Sequence, residues 1–473
     1  MTTTVEQTAI ITFIQDAVKE GRHEIVLVPA VAGAGKTYLL QQIVKNVPHK
    51  SGIYLSYNKS IAVEAATKFP ASIKCLTANA LAYRSIVKAL GLRVGNFGYR
   101  EIKERIPYEN KLEIVSVIKE YCLSGYLDFK KFSEEKELTT NVIDICEKYL
   151  EKMYSGDIEC THDFYMKIFH IYLAEKQISF EEEDFLLIDE SGDLNEVTLQ
   201  IFKLFPAKIK IAVGDASQNI YGFNYTVNAF NLLKDEGTTF KLTKSFRVSD
   251  KIAKRIAGFC QKYLDPDMVF DGTTVDETDI VSRAILSRTN TGLLSTMISL
   301  VSENIPFKLV RSPKEIFKLP LMICFMKYEG SIEDPMYRHI QDDFDTWHED
   351  DYLKKEFKSP LAYLMHCHEY DSQLVNAIRL VMSRGKNTII GTYERTVELN
   401  KQKSNLTLAT AHSVKGLEYD EVAILDDLNS YVLNALDSRS SSGVFSEEAI
   451  QELNLYYVAC SRAKKSLLNA TML

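Results

Sequence analysis

The sequence predicts an α/β protein built on parallel sheets with helical insertions. Three observations carry this expectation. Short apolar runs recur along the chain, each leading into a polar or glycine-bearing turn and then a helical period. One of those turns is a phosphate-binding loop. A long stretch between two runs, residues 84–183, has helical spacing and no strand pattern.

The loop lies in EIVLVPAVAGAGKTYLL, residues 24–40. The apolar run 25–28 reads as a buried parallel strand. The turn from Ala30 to Gly35 brings Ala32, Gly33, Ala34 and Gly35 to a nucleotide, and Lys36 and Thr37 open an apolar helix. Gly33 and Gly35 permit backbone angles closed to other residues and let amide N–H groups approach phosphate oxygens. The positive helix N-terminus points at the same phosphates. Lys36 adds a mobile charge at the β- and γ-phosphates, and Thr37 offers a hydroxyl to Mg²⁺. Ala30 stands where the pattern usually has its first glycine.

Composition sets outer bounds. A chain of 473 residues holds two to four domains. Hydrophobic content of 46% and charged content of 25% are ordinary for a globular protein. A net charge of −8 offers no sign of nucleic acid, so any such site is a local cleft rather than a basic surface. The opening residues lack a secretory pattern, and no apolar run is long enough to span a membrane. Eight scattered cysteines without CxxC pairs read as reduced thiols of a cytosolic protein. His366-Cys367-His368 has no second ligand cluster and reads as a packed or surface tripeptide.

In chain order, residues 1–20 form an amphipathic helix with Gln7 near its start; from this stretch alone Gln7 reads as a solvated helix residue. Runs 53–56 and 73–77 are strands, and Asn58 can cap a helix beginning near Lys59. Tyr57, Asn58, Lys59, Thr77 and Asn79 then sit on the rim formed by the strands' C-terminal ends. Residues 84–183 are a helical insertion without chemistry of its own. The strand 185–188 ends in Asp189-Glu190, placing one carboxylate to hold Mg²⁺ and a second to orient or deprotonate water. The strand 210–213 leads to a loop with Gln218, able to hydrogen-bond a γ-phosphate, and Tyr221 and Phe223, able to stack on bases. Arg247 follows soon after. A second domain begins near Ile280, with strands at 284–286, 406–410 and 422–425. Residues 325–370, acidic and aromatic with the lone Trp347, form a small helical insertion. Residues 455–464 read as a helix carrying Arg462 toward a cleft.

Together these stretches resemble the UvrD/Rep-type superfamily 1 DNA helicases. AVAGAGKT is similar to the family's first motif, where alanine at the Ala30 position is usual. FLLIDES resembles the second motif, VGDASQNIYGF the third, LTKSFR the fourth, TLATAHSVKGLEYD the fifth and NLYYVACSRAKKSL the sixth. YLSYNKSIAVEAATKFP, THDFYMKIFH and SFR look closest to the F-box DNA helicase branch, although the sequence shows no room for an F-box.

The resemblance implies two RecA-like domains with ATP between them. The first comprises 1–83 and 184–278, interrupted by 84–183; the second comprises 279–324 and 386–473, interrupted by 325–385. Gln7 would read adenine, and Tyr38 and Phe246 would sandwich it. Lys36 and Thr37 would bind phosphate and Mg²⁺, Asp189 would hold Mg²⁺, and Glu190 would act as base. Gln218 would contact the γ-phosphate, Arg247 and Arg462 would be arginine fingers, and Glu418 beside Gly416 would contact ribose. Tyr57, Asn58, Thr77, Tyr221, Phe223 and His412 would contact DNA, with Lys59 and Asn79 on the same rim.

Two departures stand out. The family's DEAQD is Asp189-Glu190-Ser191-Gly192-Asp193, without the glutamine that links ATP to the DNA loops, and Asn224 stands where arginine is common. The expected activity is an ATP-dependent helicase that translocates on single-stranded DNA, 3′ to 5′ by family, and acts at single-strand/duplex junctions. The alternative is a DNA-dependent ATPase that displaces proteins with little strand separation. Its place is the cytoplasm, nucleoid or nucleus, wherever the DNA is; replication or recombination proteins are the partners to expect, and a viral origin stays open.

Overall fold

The architecture comes from a computed structural model that describes residues 3–56, 58–220, 226–276, 278–328, 359, 362, 372–439 and 443–473. The expected positions Tyr57, Tyr221, Phe223, Asn224, Trp347 and His366-Cys367-His368 lie outside the described residues. The chain divides into two compact units, Met1–Phe246 and Arg247–Leu473.

In the first unit the helix Val5–Glu20 begins with a capping box, in which Thr4 accepts from the Gln7 amide and Gln7 reaches back to the Thr4 amide. Six strands follow: β1 (Glu24–Pro29), β2 (Gly52–Ser56), β3 (Ile73–Thr77), β4 (Glu183–Ile188), β5 (Ala207–Gly214) and β6 (Thr238–Thr239). They form one sheet in the order β3-β2-β4-β5-β1-β6, with every pairing parallel. Residues Val26, Leu27 and Val28 of β1 and Phe185, Leu186 and Leu187 of β4 are buried, as strands covered on both faces must be.

Between β3 and β4 the chain is helical, with main helices Tyr108–Leu123, Thr140–Ser155 and His162–Ala174. Their apolar faces do not make a separate core. Ile118, Tyr149 and Phe169 belong to the same buried cluster as Leu55, Leu186 and Ile188 of the sheet. Lys167 is buried here; its ammonium donates to the carbonyls of Ser124 at 2.6 Å and Tyr126 at 2.8 Å and lies over the Tyr121 ring. Burial, with a smaller upward pull from Cys122 and Glu196, brings its pKa down to about 8.

The strand β7 (Lys244–Ser249) runs across the division between the units and pairs with β8 (Asp271–Thr273). The second unit is built on β9 (Arg283–Ser287), β10 (Lys308–Leu309), β11 (Leu406–Thr410), β12 (Tyr419–Ile424) and β13 (Ala463–Leu468). Their order is β10-β11-β9-β12-β13, again all parallel. The helices Asn290–Ser302, Pro313–Tyr328, Ser372–Arg384 and Lys386–Leu399 contribute to a buried cluster with Leu408 of β11.

Two sequence expectations change. The division expected near residue 278 falls at 246/247, because the helix Asp250–Tyr263 packs on β13 and on the helix Glu447–Cys460 of the second unit. The helix expected over 455–464 stops at Cys460, and Ala463 begins β13, drawn into the sheet by parallel pairing with Tyr419.

His170, 2% exposed, packs in the helical part of the first unit, and among the described residues its Nδ1 has no hydrogen-bond partner. Burial, and secondarily the charge of Lys167, pull its pKa from 6.5 down to about 3. Folding therefore selects the neutral ring. The stability this provides is whole above pH 6.5 and is lost as the pH falls toward 3, because only the unfolded chain accepts the proton. Replacing His170 with methionine removes that titration. In chemical denaturation, the drop in unfolding free energy between pH 8 and pH 4.5 should be smaller in the variant by about 3 kcal/mol.

Candidate functional site

Three neighbouring strands of the first sheet, β4, β5 and β1, deliver the main cluster at their C-terminal ends, where ligands of open parallel sheets collect. The loop after β1 turns through Gly33 (φ 76°) and Gly35 (φ 78°), both in the left-handed region. Gly35 is the N-cap of the helix Lys36–Asn46 and has no side chain with which to cap it, so the first amides of that helix open toward the loop. The loop is pinned from beyond the sheet, since buried Ser245 donates its hydroxyl to the Ala32 carbonyl at 2.8 Å and the Phe246 amide donates to the Gly33 carbonyl at 2.9 Å.

Lys36 meets Glu190 with Nζ 3.1 Å from Oε2. Burial works against its charge, but Glu190, Asp215 and Asp189 outweigh burial and raise its pKa. Thr37 donates its hydroxyl to Asp189 Oδ2 at 2.7 Å. The same oxygen accepts from Tyr54 at 3.1 Å, and Oδ1 accepts from the Glu190 amide at 2.9 Å. Asp189 is buried. Burial and then the neighbouring Glu190 raise its pKa, while Lys36 and the Thr37 bond hold it back. Glu190 is a non-glycine residue in the left-handed region (φ 54°), a conformation that turns the chain sharply after β4.

The hydroxyl of Thr37 and the carboxylate of Asp189 are hard oxygen donors at adjacent positions. That is a donor set magnesium takes when phosphates and water complete its shell. Among the described residues no group of three or more His, Cys, Asp or Glu side chains is placed to hold a metal ion.

Gln218, on the short helical turn after β5, is also in this neighbourhood. It is buried and donates to Asp215 Oδ2 at 2.8 Å, while Asp215 Oδ1 accepts from the Ser217 amide at 3.1 Å. Gly192 and Gly214 bring the turns after β4 and β5 into backbone contact. A Cβ on Gly192 would stand 2.4 Å from the Asp215 carbonyl oxygen, and one on Gly214 would stand 2.7 Å from the amides of Ser191 and Gly192. The position where the resembling family carries glutamine therefore has no space for a side chain.

Gln7, Tyr38 and Phe246 surround Gly35. A Cβ placed there would be 3.4 Å from Gln7 Nε2, 3.7 Å from Tyr38 Cβ and 4.0 Å from Phe246 Cδ2. Gln7 is 1% exposed and donates to the Ala34 carbonyl at 3.4 Å, so the reading of a solvated helix residue is corrected. Phe246, in contrast, is 45% exposed.

The rim positions Asn58, Lys59, Thr77 and Asn79 sit apart from this cluster, at the β3-β2 edge. Asn58 and Thr77 cap helices, accepting from the amides of Ile61 and Ala80. Lys59 is exposed, and Asn79 donates to the Tyr165 hydroxyl at 3.4 Å. A cavity of about 110 Å³, lined by Ser56, Asn79, Asp189 and Asn195 among others, separates this edge from the carboxylate.

The second unit gathers its own set. Arg247 pairs with Glu418 at 2.6 Å. Arg462, 1% exposed, donates from Nε to the Val458 carbonyl at 2.9 Å, from Nη2 to Ser461 Oγ at 3.0 Å and from Nη1 to the Leu417 carbonyl at 3.4 Å. Gly416, at φ 86°, provides the turn before Leu417. Arg247, Gly416, Glu418 and Arg462 thus belong to one neighbourhood, but Arg462 is folded into its own unit instead of being displayed by a helix. His412, on the turn after β11, is half-buried; burial and the charges of Arg288 and Arg311 lower its pKa to about 4, so its ring is neutral near pH 7.

Sequence reasoning missed Tyr54, Asp215 and Ser245. Tyr54 lies inside an apolar strand run and reads as core. Asp215 sits beside the more conspicuous Gln218, and only the fold shows that it holds Gln218 and faces Lys36. Ser245 carries no signal in a serine of ordinary surroundings.

The family model described as an AAA domain matches residues 14–224, and that of the UvrD-like helicase C-terminal domain matches residues 352–472. F-box DNA helicase protein 1 of Schizosaccharomyces pombe is 28% identical over 94% of this chain and 55% of its own length. F-box DNA helicase 1 of Gallus gallus is 25% identical over 94% of this chain and 47% of its own length. The chain thus spans about half the length of these curated relatives. The solved PRRSV helicase aligns with 98% of this chain and 53% of its own at 10% identity, with a TM-score of 0.31, too loose a likeness to carry an argument. Two family models in the expected order, over a phosphate loop followed by a strand-end Asp-Glu, lead to one conclusion: the chain belongs to the UvrD-like helicases of superfamily 1.

Proposed function

We propose that this protein is an ATP-dependent helicase that moves along single-stranded DNA, 3′ to 5′, and couples hydrolysis to duplex opening. The observation that carries the reading is the convergence of Lys36, Thr37, Asp189 and Glu190 at the mouth of one phosphate loop. Gln7, Tyr38 and Phe246 would hold the base; Ala32, Gly33, Ala34 and Gly35 would cradle phosphates beside Lys36. Thr37 and Asp189 would hold Mg²⁺, which neutralises phosphate charge when bound. Glu190 would take the proton of the attacking water. Its carboxylate now pairs with Lys36, and a phosphate that draws the lysine away releases it for that task. Gln218, held by Asp215, would sense the γ-phosphate. Arg247 and Arg462 would stabilise transferring charge, and Gly416 and Glu418 would belong to the nucleotide set. Asn58, Lys59, Thr77, Asn79 and neutral His412 would bind DNA, with Tyr57, Tyr221 and Phe223 stacking on bases.

One observation favours a second reading, a DNA-dependent ATPase that strips proteins from DNA with little strand separation. Gly192 leaves no space for the glutamine that in the resembling family links ATP to the DNA loops. Unwinding of a forked duplex, measured beside displacement of streptavidin from a biotinylated strand, decides between them. Substrates with 3′ or 5′ overhangs decide the polarity.

Three outcomes follow from this assignment. Lys36→Ala should abolish turnover stimulated by single-stranded DNA. Glu190→Gln should lower kcat about 10²–10⁴-fold while a fluorescent nucleotide still binds; ordinary turnover in either would falsify the assignment. Gly192→Gln, although it restores the family's side chain, should depress stimulated ATPase and lower the melting temperature, because its Cβ would displace the Asp215 backbone.

A further inference from the structure

We infer that Tyr54 is a positioning residue for the metal-holding carboxylate, its hydroxyl fixing the orientation in which Asp189 meets a divalent cation. This rests on the nucleotide reading above and adds a residue to it. Tyr54 stands within β2, opposite Leu187 of β4 in the register of the two strands, and Asp189 is two residues beyond Leu187. Alternation along a strand brings positions two apart to the same face, which is why a side chain in the middle of β2 reaches a carboxylate just past the end of β4.

The chemistry argues for more than packing. Tyr54 is completely buried, and a phenylalanine would fill an apolar strand position equally well. A buried hydroxyl is unfavourable unless it is bonded, and among the described residues the partner of this one is Asp189 Oδ2, at 3.1 Å. That oxygen also accepts from Thr37 at 2.7 Å, while Oδ1 is held by the Glu190 amide at 2.9 Å. The carboxylate is thus gripped at both oxygens, and of the two hydroxyls on Oδ2 only Tyr54 is outside the phosphate loop. Its ring is itself restrained, with the Phe69 ring centroid 4.9 Å away. A donor fixed by packing on one side and bound to a carboxylate on the other is the arrangement that orients a metal ligand.

The test uses Tyr54→Phe in the full chain, with fluorescent ADP binding followed across a titration of MgCl₂. The Mg²⁺ concentration at half-effect should rise roughly tenfold, while ADP affinity without metal stays at the parent's value and the variant still melts cooperatively, at a temperature lowered by the lost donor. A midpoint within about twofold of the parent's would overturn the assignment and leave Tyr54 as packing. If the parent itself binds no nucleotide or shows no Mg²⁺ dependence, the nucleotide reading fails, and this inference with it. That failure appears in the parent and not in the variant, so the two are told apart.

Discussion

The first unit is arranged around one buried carboxylate. Asp189 is removed from water at the end of a strand, where an unpaired charge would be strongly unfavourable. It is tolerated because Thr37, Tyr54 and the Glu190 amide donate to it and the Lys36 ammonium stands close by. Those donors come from the helix after β1, from β2 and from the turn after β4. The carboxylate therefore works only if the strands keep their register. A slip of one residue in β2 would turn Tyr54 to the opposite face and remove a donor from a charge that has few.

The same economy of space governs the turns beside it. Gly192 and Gly214 let the chain after β4 lie directly on the chain after β5, so the Asp-Glu pair and the Asp215–Gln218 pair share a backbone contact. Here the two turns meet directly through main chain. The second unit follows a different plan: Arg247 is paired with Glu418, and the Arg462 guanidinium is satisfied by carbonyls and a hydroxyl of its own unit. A guanidinium held in this way is oriented before any ligand arrives, but it must exchange partners to serve one.

Local signals were strong wherever the backbone dictates the chemistry. The glycines of the phosphate loop, the apolar run before Asp189-Glu190 and the Asn58 cap each depend on neighbours within a few residues, so the chain order alone displays them. Signals were weak wherever a residue's role comes from its burial. Gln7 reads as a solvated residue by its polar type, yet it shares the buried helix face of Ile10, Ile11 and Ile14 and is enclosed beside Gly35 where the first helix packs on the helix after the loop. The end of the helix at Cys460 was equally hidden, because the strand that follows forms only by pairing with Tyr419 and its neighbours more than forty residues earlier.

By itself the sequence determined the α/β class, the phosphate loop and the motif order, since periodicity and glycine placement are local constraints on the backbone. Tertiary structure alone decided that Tyr54 reaches Asp189, that Arg462 is buried, and that residues 247–278 belong with the second unit. Each of these depends on which surfaces meet across the sheet or between helices distant in the chain. Burial, hydrogen bonding and charge compensation at those contacts are properties of the assembled fold, and no single segment carries them.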